Sequence, residues 1–148
     1  MRKLALTLFA SVALFSATAD ASPLRDAINR ANITFDYGTR VFVLTRCAAV
    51  NFSMAALLQE HGNTITHRQL AQEYETTGIT WGVGANILVE RHFGVSSEVA
   101  NERHIFPMLQ AHMGDYIQMM QDAYERGEPR VTLTIVDDLA ACVEASQN

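Results

Sequence analysis

The chain has 148 residues with 11 basic and 16 acidic side chains, five histidines and a formal charge of −5. That balance argues against nucleic acid and anionic membrane surfaces as partners, because both reward clustered positive charge. Lys3 is the only lysine, so residues 22–148 hold no P-loop lysine, Schiff-base lysine or Ser-Lys nucleophile.

Met1-Arg2-Lys3 precedes an apolar run from Leu4 to Ala17, and Ala17-Thr18-Ala19 and Ala19-Asp20-Ala21 each offer a small-x-small cleavage pattern. This predicts a secretory signal over residues 1–21, cut after Ala19 or Ala21, and a single exported domain over residues 22–148. The apolar run is shorter than the roughly twenty residues a membrane span needs, so no stable membrane insertion is expected after cleavage. A cut after Ala21 leaves a formal charge of −6, with arginine as the only full cation. Cys47 and Cys142 both survive it. An even pair in a periplasmic or secreted chain predicts a disulfide, and closing so long a loop is worth about 4–5 kcal/mol on the chain-entropy estimate.

In chain order, Ser22-Pro23 caps a short first helix carrying Leu24, Ala27 and Ile28. From about residue 39 to 61, Val43, Cys47, Val50, Met54, Leu57 and Leu58 recur at spacings of three and four, and Gly62-Asn63 stops the helix. Thr66 to Gln69 reads as a capping box for a helix continuing to Gly94. Gly78, Gly82 and Gly84 predict either a kink or a break between residues 77 and 84, with small residues approaching Ala48, Ala49, Ala55 and Ala56 around Trp81. Ser96 starts a long amphipathic helix through Ile105, Leu109, Met113, Tyr116, Met120 and Tyr124, which Pro107 kinks or divides. The last element is β-branched from Val131 to Val136, but Val131, Ile135, Leu139, Cys142 and Val143 share one helical face, which predicts a helix.

The fold expected is therefore all-α, an up-down-up-down four-helix bundle with one disulfide linking its first and last main helices. Antiparallel first and fourth helices would bring Cys47 and Cys142 to similar heights, at about 1.5 Å per residue.

The chemistry is sparse. His104, Met108 and His112 fall at i, i+4 and i+8, a stripe of imidazole and thioether donors suited to copper, and Met113, Met119 and Met120 follow. The competing reading is methionine as core filler. His61 and His67 flank a turn, two ligands short of a zinc site. Asp137-Asp138 reads as a solvated helix turn, since adjacent helical residues diverge by about 100°. Gly82-Val83-Gly84 lacks the third glycine and the strand of a dinucleotide site, and no hydrolase, metalloprotease or P-loop motif occurs.

The leader, the small acidic helical domain and the pairing of Arg46-Cys47-Ala48-Ala49 with Leu139-Ala140-Ala141-Cys142-Val143 resemble uncharacterised small periplasmic two-cysteine proteins of proteobacteria. The layout is similar in outline to the periplasmic acid-stress chaperones, although their lysine-rich surface is missing. No functional residue carries over from that resemblance, and the function expected is that of a non-enzymatic exported domain binding an envelope protein or peptide, in the setting of envelope stress, with no cofactor. The alternatives are a periplasmic copper-binding protein using His104, Met108 and His112, and an enzyme of unrecognised type.

Overall fold

The structure, a computed structural model, describes residues 22–34 and 36–147, and the predicted signal at 1–21 lies outside the described residues. Among the described residues there is no strand. Helix α1 (Pro23–Thr34) begins where Ser22 Oγ accepts the Arg25 amide at 3.2 Å. Helix α2 (Tyr37–His61) begins at Asp36, whose Oδ2 accepts the Thr39 amide at 2.7 Å, and ends at Gly62. Helix α3 (Ile65–Phe93) is capped by Thr64, two residues before the expected box, because the Thr64 hydroxyl accepts the His67 amide at 3.1 Å. Gly94, at φ 64°, closes it in the left-handed conformation that glycine tolerates best.

The predicted break in α3 does not occur: one helix runs through residues 77–84. Its glycines differ in use. A Cβ at Gly78 would stand 3.0 Å from the Phe52 ring, and one at Gly84 would meet Leu44 at 3.5 Å, whereas one at Gly82 would meet nothing within 4 Å. The close approach therefore lies at Gly78 under Phe52, and Gly82, expected to be the packing glycine, is not part of it.

Beyond Gly94, α4 (Ser97–Ala100) passes through a π-helical turn (Asn101–Ile105) into α5 (Phe106–Glu125). Proline has no amide hydrogen, and its ring crowds the carbonyl one α-turn back. The wide turn, in which the Phe106 amide bonds to Asn101 O, leads into Pro107 without ending the helix. Helix α6 (Leu133–Ser146) is capped by Thr132, so the β-branched stretch is helical from Leu133.

Helix α2 is the axis, packing against α1, α3, α5 and α6. The pairs Phe52/Gly78 and Leu44/Gly84 make α2 and α3 antiparallel. The disulfide Cys47–Cys142 joins α2 to α6, with 5.7 Å between Cα atoms. Leu24, Val50, Met54, Tyr116 and Ile135 pack around it, and a second cluster of Val41, Ala85, Val89, Ala100 and Ile105 lies towards the start of α2. Among the described residues α2 alone is long and apolar enough to cross a membrane, with mean hydropathy 1.8, yet 61% of that window is buried by the other helices. A helix apolar all round belongs in a core as readily as in a bilayer.

Candidate functional site

Two features stand out on either side of α6. The first is a buried polar cluster. Tyr116 Oη on α5 donates to Asp138 Oδ2 on α6 at 2.5 Å. Arg46 on α2 places Nε 3.7 Å from the same oxygen and its guanidinium 4.3 Å from the centre of the Tyr116 ring, while its Nη1 donates to Asp115 Oδ2 at 3.0 Å. Asp138 is 1% exposed, and its Oδ1 has no hydrogen-bond partner among the described residues. Burial, reinforced by the adjacent carboxylate, pushes the Tyr116 hydroxyl far above its ordinary range, so it stays a donor.

Asp137 faces the other way. Its Oδ1 accepts from Arg25 Nη2 at 3.1 Å, and Arg25 Nη1 donates to Glu144 at 2.7 Å. The hydrogen bond from Arg25 holds Asp137 below the usual carboxylate range. The expectation of a solvated Asp137-Asp138 turn is thus corrected. The divergence of about 100° between neighbours sends one carboxylate into the α2–α5 interface and the other to α1. Both serve as ties.

The second feature is a groove of about 800 Å³. Leu44 and Asn51 of α2 form its floor, α3 supplies Leu70, Tyr74, Thr77 and Trp81, and α6 supplies Leu139 and Val143. Its α3 wall is less polar than its composition suggests. The hydroxyls of Thr76, Thr77 and Thr80 donate to Gln72 O, Glu73 O and Thr76 O at 2.8, 2.9 and 3.0 Å, which turns them onto their own helix. No charged side chain occurs in residues 76–89. Leu70 on the α3 wall and Val143 on the α6 wall are both exposed, so apolar surface reaches both rims.

The predicted metal stripe is held by packing contacts. The His104 ring stacks on Phe93 with centroids 4.8 Å apart, in a small aromatic ladder that continues to Tyr37 and His92. Met108 packs against the second core cluster. His112 sits edge-on to Phe42 at 5.2 Å, and its Nε2 is buried without a hydrogen-bond partner among the described residues. Burial, then the Arg46 charge, lowers its proton affinity. The π turn at His104 also interrupts the regular spacing the stripe assumed. Among the described residues no three His, Cys, Asp or Glu side chains are grouped to hold a metal ion. His61 takes a hydrogen bond from Arg130, and His67 packs over Gly62, where a Cβ would lie 2.4 Å from its own.

The groove and the buried cluster are the features sequence reasoning missed. A signal for the groove was present in the uncharged run 76–89, longer than one buried helical stripe requires. The chain matches no protein-family model, no curated protein and no solved structure, so its site is read from its own geometry.

Proposed function

We propose that this chain is an exported, non-enzymatic helical domain that binds a protein or peptide partner in the groove between α3 and α6. The observation that carries this reading is the groove itself: an apolar-walled trough, free of charge along its α3 wall past Glu73 and lined by exposed Leu70 and Val143. Contiguous apolar surface of this kind marks binding sites. The disulfide fits an oxidising compartment, in keeping with the proposed signal and with likeness to small periplasmic two-cysteine proteins. Antiparallel α2 and α3, with α6 tied back onto α2, fit the proposed up-down-up-down order of a four-helix bundle to which α1 adds a short flank. A catalytic reading has little to use, because Asp138 and Tyr116 are closed off from substrate.

The test uses Trp81, the single tryptophan of the chain, which lines the groove. Titration with amphipathic helical peptides should shift its emission to the blue and saturate. Val143→Arg should weaken that binding at least tenfold at unchanged melting temperature. If no peptide shifts the emission, the reading fails. The copper alternative rests on the unpartnered Nε2 of His112; stoichiometric Cu(II) or Cu(I) binding that disappears in His112→Phe would favour it.

A further inference from the structure

We infer that the occupant of the groove is an amphipathic helix of another protein, bearing a positive charge at one end and a negative charge at the other. The inference rests on the groove-binding reading above and adds the chemistry of the partner.

Length comes first. The groove shares Leu44, Trp81 and Ala145 with a second hollow of about 390 Å³, so the trough continues past Trp81. Its α3 wall extends from Leu70 to Arg91, about 30 Å at about 1.5 Å per residue, and a helix of roughly twenty residues spans that distance. With α2 as floor, α3 as one wall, and α6 followed by α1 as the other, the trough suits a helix that lays one apolar face inward.

Charge decides the ends. Glu73 lines the first hollow and pairs with no cation among the described residues. Arg40 and Arg91 line the second hollow. Between them, residues 76–89 carry no charge. A partner of one sign throughout would meet repulsion at one end. A helix with a cation opposite Glu73 and an anion opposite Arg91 is complementary at both, and its macrodipole adds to the match when its N-terminus lies at Glu73.

Three synthetic helical peptides of twenty residues test this, identical on their Leu/Ala face. One carries Lys near its N-terminus and Glu near its C-terminus, the second Lys at both ends, the third Glu at both ends. Binding is read from Trp81 emission at low salt, with circular dichroism confirming that each protein remains folded. The wild type should bind the mixed peptide at least fivefold more tightly than either single-sign peptide. Glu73→Arg, which makes both ends basic, should transfer the preference to the Glu/Glu peptide. Equal affinity for all three in both proteins would overturn the charge-matched helix and leave the groove reading standing. No saturable response to any peptide, with a response to a fatty acid, would overturn both and assign the groove to a small apolar ligand.

Discussion

The two sides of α6 are built on opposite principles. Towards α1, α2 and α5 it is pinned by the Cys47–Cys142 bond, the Tyr116–Asp138 hydrogen bond and the Arg25 pairs with Asp137 and Glu144. Towards α3 it faces the groove, where Leu139 and Val143 look across at Leu70, Trp81 and threonines turned onto their own helix. A small domain can leave apolar surface open only if something else keeps its elements in place, because burial is its main stabilising term. Rigid ties on one side are what allow an unfilled trough on the other.

Breaking the ties should produce the largest effect. Removing the disulfide, by reduction or in Cys47→Ser/Cys142→Ser, should cost about 2–5 kcal/mol and lower the melting temperature by about 10 °C or more, measured by differential scanning calorimetry. Two titratable thiols in natively purified protein would remove the premise. Tyr116→Phe should follow, costing about 2 kcal/mol in urea unfolding, because a buried carboxylate loses the hydroxyl that donates to it. A variant as stable as wild type would mean that Arg46 alone satisfies Asp138.

Two glycines on the opposite side sharpen the contrast. Gly78→Leu should destabilise by about 1–3 kcal/mol through overpacking against Phe52. Gly82→Leu should be neutral or stabilising by up to about 1 kcal/mol, since open space removes the clash and leucine is the better helix former. Equal denaturation midpoints would dismiss the assignment of the close approach to Gly78.

The smallest effect should be seen in acid. The proton affinity of His112 is lowered from its ordinary 6.5, so the folded state resists its protonation and stability should begin to fall as pH drops below 6.5. His112→Phe should flatten that limb. Asp137 is lowered from its ordinary 3.8 by Arg25, so its contribution is present above that value and lost as pH falls further. Arg25→Ala should remove part of this second limb, read from melting temperatures between pH 7 and 2.

Much of this was legible in the residues. The spacing of Val43, Cys47, Val50, Met54 and Leu57 identified α2, the caps at Ser22 and Ser96 identified helix starts, and two cysteines in one exported-looking chain identified the disulfide. What escaped had tertiary causes. The three glycines look alike in sequence, and only the position of Phe52 and Leu44 on a neighbouring helix tells Gly78 and Gly84 from Gly82. Asp137 and Asp138 diverge by one helical step, yet which of them points inward depends on where Tyr116 and Arg46 arrive from α5 and α2. Pro107 promised a kink or a division, while the residues before it absorbed the strain in a π turn that no local pattern announced. The groove is an absence between elements, and pattern reading registers what packs.

The burial of α2 sets the terms on which this protein can diverge. Of residues 47–55, all but Phe52 are buried, so substitutions there have almost no solvent-facing direction in which to be tolerated. In α5, by contrast, Tyr116, Met120 and Ala123 are buried at helical spacing with exposed positions between them. A saturation-mutagenesis profile should therefore lose its 3.6-residue rhythm in the middle of α2 and keep it in α5. Lineages of this protein would then be recognised by a nearly invariant block around Cys47, with the groove walls left free to drift with their partner.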